Sequence, residues 1–557
     1  MRWIRLLLAW GLTFGILAYL WGLISIFALL GGTVQRRLLL MLAATVGGIM
    51  VLSWNARPPG RAWGTLAAWV IVNGVLYSLY AAPRMPVPVL FAILLPATVW
   101  ICWLAWIGAW PMSWPRRLAW QAIWLGCAGI ALALLRVEGM TGDTHMVFGW
   151  RWADVPTSLV GSPNAVATIV VNPTADDYPQ FLGPNRTGVV ATKVGTLTER
   201  WRRPIGNGWG AFAVVGGYAF TQEQRDESEC VVCYRVADGE PQWVHADETK
   251  FSGLGGVGPC ATPAVAGGRV FSVGGTGILN CLDSATGRRL WRVDLLAEYS
   301  AANLGHGVCA SPLVDGERVI ACPTKRGGPS LAAFHRDDGH KLWEGGTHTA
   351  GYASPAIADV AGVSQIVLFN RDGVSGHGRA DGHELWHFPW TNNESTNCAQ
   401  PLVGITGPDR VLAATGYGKG AALFQVKPTG DAWSAEAIWS ESKHLKAKYA
   451  TPVPHGGYVY GLDDGVLACI DPATGKRKWK DGRYGHGQLL LAGDTLIVQA
   501  ETGEIVLVAP SPDGLREVGR TPAMTEKTWN NPALAGKWLL VRNDREAVCF
   551  EVAPEAP

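Results

Sequence analysis

Apolar positions fall into two patterns that divide the chain. Over the first 135 residues they form uncharged runs at Leu6 to Leu30, Leu38 to Trp54, Ala62 to Ala82, Val87 to Trp110 and Leu118 to Leu135. At about 1.5 Å of rise per residue, each run crosses, or nearly crosses, a hydrocarbon core about 30 Å thick. Five transmembrane helices are therefore predicted; a cleaved signal peptide would explain the first run but not the other four. Trp3, Trp54, Trp63, Trp110 and Trp114 stand near the run ends, as interfacial anchors do.

Past residue 178 the pattern becomes short strands in a repeating frame. Cys281 to Trp291 is one copy: a strand, a Thr-Gly turn at Thr286-Gly287, and a second strand closing on a tryptophan. The frame returns on Trp243, Trp343, Trp386 and Trp479. A second frame, a Pro-x-Val-like strand before a Gly turn, begins at Phe212, Pro263, Pro312, Pro355, Pro401, Pro452, Leu489 and Pro532. Its spacings of 37 to 51 residues are those of β-propeller blades. Eight units predict eight blades. The seventh lacks its tryptophan, with Val518 near the expected place. The last ends without one, and Trp201, upstream of the first unit, can supply the missing strand and close the ring. An open ring would leave two bare sheet edges.

The expected organisation is an all-β eight-bladed propeller at 181–557, preceded by an α-helical membrane domain of about five transmembrane helices at 1–140 and a linker at 141–180. Charge sharpens the division. Residues 1–140 hold ten Arg, no Lys and one acid, Glu138, which leaves −7 for the remainder of a chain of formal charge +2. A mildly acidic propeller excludes nucleic acid as partner. With the N-terminus inside, six arginines flank the spans within and four outside, so five spans place the propeller on the outer, periplasmic side of the cytoplasmic membrane. No Asp, Glu, Lys or His lies within a span. Ion-coupled transport needs such groups at membrane depth, so this part reads as an anchor.

Counting back from the eight frame starts gives the candidate site. Two residues back lie mostly small residues, from Gly210 and Ala261 round to Asn530. Three back lie Trp209, Cys260, Cys309, Tyr352, Cys398, Tyr449, His486 and Trp529. On extended backbone these two sets face opposite ways, one crowded against neighbouring backbone and one large or polarisable. One back is a polar set that shares the direction of the large ring: Thr262, Ser311, Ser354, Gln400, Thr451, Gln488 and Asn531. Two readings stand. The aromatics and cysteines pack between blades, or they floor a funnel that holds a flat ligand or a peptide, with Lys446, Lys448 and Asn530 beside them. The cysteines at Cys233, Cys281 and Cys469 read as small buried hydrophobes. Cys230-Val-Val-Cys233 precedes Tyr234, not His, and so attaches no c-type haem.

The segment Phe181-Leu-Gly-Pro-Asn-Arg186-Thr-Gly188, the Thr-Gly-x-x-Leu-Trp blade ends and Trp479 to Gly487 resemble the pyrroloquinoline-quinone-like propeller family over about 178–552. That family includes quinoprotein alcohol and glucose dehydrogenases and the propeller lipoprotein of outer-membrane assembly. For a dehydrogenase the resemblance implies pyrroloquinoline quinone flat on a tryptophan, a calcium held by carboxylate and amide oxygens, and an aspartate base. Many alcohol enzymes also join two adjacent cysteines. This chain has no Cys-Cys pair, and the carboxylates nearest the funnel are Glu394 and Glu526, beside amides such as Asn397 and Asn530. The calcium site is not assembled by the sequence.

His383-Glu384-Leu385-Trp386-His387 matches H-E-x-x-H, but on a strand at about 3.3 Å per residue the two histidines stand about 13 Å apart and cannot share a zinc. Gly416 to Gly420 lacks the spacing of a phosphate loop. The expected function is a membrane-anchored platform that binds a ligand or a protein partner at the propeller mouth. The alternative is a membrane quinoprotein dehydrogenase passing electrons from a sugar or alcohol to quinone.

Overall fold

The computed structural model describes residues 168–553 except 431, 442 and 526, the backbone of 135–140 and 146–150, and a few isolated positions from 113 to 142. The five apolar runs lie outside the described residues, apart from isolated positions of the fifth. Among the described residues no helix is long and apolar enough to cross a membrane. Chain contacts divide the protein after Ala133.

The second unit is a ring of eight antiparallel blades, each of four consecutive strands except where the ring closes. Blade 1 runs from Ala213–Val215 through Pro241–Asp247, and blade 7 from Gln488–Ala492 through Glu517–Pro522. Blade 8 takes three strands from the C-terminal end and its fourth from Thr196–Pro204, with Cys549 opposite Trp201. Closure by Trp201 is thus as the repeat predicts. Val189–Val190 adds a parallel strand to blade 7 through Val189 and Leu491. Leu135–Met140 pairs with Met146–Trp150 in a hairpin that the sequence pattern had divided between the anchor and the linker.

Central strands are apolar on both faces because neighbouring blades cover them. Val270, Phe271, Leu279 and Leu282 of blade 2 are all fully buried, so these strands read as continuous apolar runs instead of alternating ones. Outer strands alternate around their tryptophan: Trp291 is buried between exposed Leu290 and Arg292.

Most of these tryptophans dock on the turn of the next blade, whereas Trp386 donates to Gln365 Oε1 of its own blade at 2.7 Å. Trp243 Nε1 donates to Ser284 O at 3.0 Å, and its ring lies where a Cβ on Gly287 would come within 2.5 Å. Gly287 also holds φ of +71°, so glycine is required there twice over. Trp201 repeats this on Val236 and Gly239, Trp291 on Arg336 and Gly339, and Trp439 on Pro472 and Gly475. Trp439, in blade 5, escapes the sequence frame because the preceding hairpin is lengthened to Gly420–Thr429 and Ala432–Glu441. In blade 7 Gly519 faces Leu507 where the other blades place tryptophan, and Val518 is half exposed.

Candidate functional site

The offsets read from the sequence encircle one axis. Ala211 N donates to Thr262 Oγ1, Thr262 N to Ser311 Oγ and Ser311 N to Ser354 Oγ, each at 2.9 Å. Ser354 N then reaches Gln400 Oε1 at 3.2 Å, and Gln400 N reaches Thr451 Oγ1 at 3.0 Å. Gln488 Nε2 donates to Trp529 O. Asn530 Nδ2 donates to the carbonyls of Gly208 and Gly210 in blade 1. The polar set one residue back is therefore a belt between blades, with its side chains pointed at the neighbour's backbone. Small residues two back make room for it: a Cβ at Gly210 would collide with Ala261 O. Asn530, expected beside the ligand ring, is fully buried in the belt and has both amide N–H groups on blade 1.

Three residues back, the large side chains gather at one mouth of the channel in two groups. Trp529 lies 5.4 Å from Trp209 and 4.9 Å from Tyr449, and Tyr449 lies 6.0 Å from His486. Lys448 Nζ sits 4.5 Å over Tyr417 and 5.4 Å from the Tyr449 ring centre. Lys527 Nζ stands 4.3 and 4.4 Å over Trp209 and Trp529, an arrangement in which ring quadrupoles attract the ammonium. In the second group His306 meets Tyr352 edge-on at 5.4 Å, and its carbonyl accepts from Cys309 at 3.2 Å and Cys260 at 3.5 Å. Burial pushes the Cys398 thiol up to about 12, with Cys260 adding in the same direction. The groups meet at Gly255, where a Cβ would lie 3.2 Å from Trp529 and 3.3 Å from His306. Burial, with Lys448 and Lys527 behind it, lowers the His306 pKa, so this imidazole is neutral at neutral pH. Lys446 turns away, onto Asp463 and Asp464.

Five participants lie outside the counted offsets: His306, Tyr417, Lys527, Glu501 and Gly142. Glu501 Oε1 accepts from Trp529 Nε1 at 2.9 Å and from Gly142 N at 2.7 Å, and its Oε2 accepts from His486 N at 2.8 Å. Lys448 Nζ donates to Gly142 O. Gly142 stands between the two strands of the 135–150 hairpin, so the mouth holds a polypeptide turn by its main chain. A Cβ at this position would collide with the His486 ring.

The sequence profile of the family described as "Outer membrane protein assembly factor BamB" matches residues 231–481. The propeller is of the pyrroloquinoline-quinone-like kind. Curated relatives of this pyrroloquinoline-quinone-like propeller include the outer membrane protein assembly factor BamB of Shewanella oneidensis. That protein is 24% identical over 336 residues, covering 57% of this chain and 80% of the relative. The protein of the same name from Moranella endobia is 24% identical over 272 residues, covering 45% of this chain and 65% of the relative. Among solved structures, BamB from Moraxella catarrhalis aligns at 16% identity and TM-score 0.47, over 65% of this chain and 100% of that one. Quinohemoprotein alcohol dehydrogenase ADHIIG from Pseudomonas putida aligns at 12% identity and TM-score 0.49, over 69% and 82%.

The residues at this mouth do not fit a quinone held by calcium. A calcium ion takes six to eight oxygens, mostly from carboxylates and carbonyls. Among the described residues, which leave out Glu526, Glu501 is the carboxylate hydrogen-bonded to the aromatic cluster, and both its oxygens accept from N–H donors. Among the described residues, neither group of three or more convergent His, Cys, Asp or Glu ligand atoms lies at the mouth.

Proposed function

We propose that this propeller is an assembly platform whose mouth receives a turn of polypeptide from a protein partner. One observation carries the reading: the Gly142 turn rests in the mouth with its N–H on Glu501 and its C=O beside Lys448. A site that satisfies both backbone polar groups of one residue recognises main chain, and the tilted aromatics around it contribute area at little conformational cost. Two curated relatives named as assembly factors favour a protein partner over a small molecule. The acidic balance of the propeller argues against nucleic acid. We assign the five apolar runs as the anchor, and the arginine distribution favours the propeller lying outside the cytoplasmic membrane.

Site-specific photocrosslinking in intact cells tests this reading, with a photoreactive side chain in place of Tyr449 or Trp209. Adducts of one or a few discrete protein masses are expected from these positions and not from exposed Val363. Absence of protein adducts at both positions, together with dye reduction after addition of pyrroloquinoline quinone and calcium, would transfer the chain to the dehydrogenases.

A further inference from the structure

The two histidines of His383-Glu-Leu-Trp-His387 part company in the fold. His383 Nδ1 turns to Asp381 at 2.6 Å on an exposed turn. His387, four residues on along Glu384–Pro389 of blade 4, stacks on His348 with ring centres 3.7 Å apart and planes 14° from parallel. His348 comes from the loop after the last strand of blade 3, Lys341–Gly345. Asp372 arrives from the turn between Val363–Phe369 and Gly373–Gly378. Three separate segments thus bring two imidazoles and a carboxylate to one point.

Their atoms are placed as ligands are. Asp372 Oδ2 lies 2.6 Å from His348 Nδ1, and its Oδ1 lies 3.7 Å from His387 Nε2. His387 Nε2 is buried with no hydrogen-bond partner. Residue 373 is glycine where a Cβ would come 2.5 Å from that nitrogen. On the far side of the imidazole, His348 Nε2 faces Glu384 Oε1 at 3.3 Å. A carboxylate behind a histidine, fixing its tautomer and orientation while the other nitrogen faces a cation, is the usual arrangement around protein-bound zinc. The His348 backbone is itself clamped, its N–H donating to Ser330 Oγ and its C=O accepting from the same hydroxyl.

We propose that His348 Nδ1, Asp372 and His387 Nε2 bind one divalent transition-metal ion of the zinc class, with Glu384 orienting His348. Two imidazoles and one carboxylate are a borderline-soft donor set that suits Zn2+, Co2+, Ni2+ or Cu2+ over Mg2+ or Ca2+. The Asp372 side chain is 54% exposed, which leaves the fourth position to water. The stacked rings hold their lone pairs nearly parallel, so loading the ion splays them.

Zinc and cobalt titrations of the chelator-treated full chain decide the matter. One Zn2+ per chain is expected by calorimetry, and Co2+ should give the visible absorption of a four- or five-coordinate nitrogen and oxygen site. His387→Ala and Asp372→Asn should each weaken Zn2+ by at least about 100-fold, and Glu384→Gln by about 10-fold, as for losses of ligands and of their orienting groups. Asp372→Asn sits on a solvent-facing turn and guards against loss through misfolding. His340→Ala removes the exposed His335, Asp338 and His340 group, whose ligand atoms also converge, and should leave the affinity unchanged. Equal Zn2+ affinity in wild type, His387→Ala and Asp372→Asn would overturn the proposal, as would loss of binding in His340→Ala.

Discussion

The indole N–H of Trp529 and the backbone N–H of Gly142 converge on the same oxygen, Glu501 Oε1, at 2.9 and 2.7 Å. One carboxylate thereby ties the aromatic floor of the mouth to the turn that rests on it. Valine at 142 would drive a Cβ into the His486 ring, whose backbone N–H is held by Glu501 Oε2. Gly142→Val and Glu501→Ala are both expected to release the turn. A hydrogen bond to a charged group contributes about 1.5 to 3 kcal/mol, so local opening should increase by about tenfold or more. Limited proteolysis within 135–150 measures it. Cleavage rates equal to wild type in both variants would mean that the turn does not seat there.

Ring closure rests on Trp201, which stands opposite Cys549, covers Gly239 and donates to Val236 O at 2.7 Å. Trp201→Ala should lower stability by about 3 kcal/mol, the low end for a large aromatic because the ring is only partly buried. Val518, beside the blade 7 position that has no tryptophan, supplies the control. It is 51% exposed, and Val518→Ala should stay within about 0.5 kcal/mol of wild type. Urea midpoints at constant slope report both.

Blade number, closure and the rings around the axis were legible because each depends on a short local frame repeated at matching offsets. A small residue, a polar residue and a turn glycine recur wherever the backbone geometry recurs. The mouth was legible only in part, since its other members come from irregular segments. Glu501 belongs to a turn, Lys527 and His306 precede first strands at no fixed offset, and Gly142 belongs to a hairpin inside an unpatterned stretch. The partners of the polar set were not legible for a physical reason: alternation along a strand gives the face of a side chain but not whether it leans toward the axis or toward the next blade. His387 illustrates the same limit, because the strand spacing that separates it from His383 says nothing of His348, 39 residues earlier in the chain.

Arg186 gives physical content to the Gly-Pro-Asn-Arg segment ahead of the first blade. It is 3% exposed, and its guanidinium donates to the carbonyls of Pro312 and Pro355, on the approaches to blades 3 and 4, while Nε donates to Gln180 Oε1 at 3.0 Å. Burial pushes its pKa down to about 9, which still leaves it charged at neutral pH. Arg186→Met keeps much of the volume but strands two buried carbonyls, each at a cost of about 1 to 3 kcal/mol. A loss of about 3 kcal/mol is expected in urea unfolding. Stability equal to wild type would mean that those carbonyls find other donors.

His377 predicts an acid-sensitive step in stability. It is fully buried in blade 4, where Asn370 Nδ2 donates to Ser375 Oγ at 2.7 Å and Ser375 Oγ lies 2.7 Å from His377 Nε2. His377 Nδ1 lies 3.1 Å from Gly382 O, so a neutral ring with its proton on Nδ1 satisfies the whole chain of bonds. Burial lowers its pKa to about 4, against 6.5 for the free side chain. Between those two values the unfolded chain takes up a proton that the folded one refuses, so this contribution is complete above about pH 6.5 and is lost as pH falls toward 4. A shift of this size corresponds to about 3 kcal/mol. His377→Gln has no proton to take up, and it should be less stable than wild type at pH 7.5 because the bond to Gly382 O is disturbed. The gap between the two proteins should narrow by about 3 kcal/mol at pH 4, read from urea midpoints at each pH. A gap that stays constant from pH 7.5 to pH 4 would place a charged imidazole in this site, with Ser375 Oγ turned to accept its second proton.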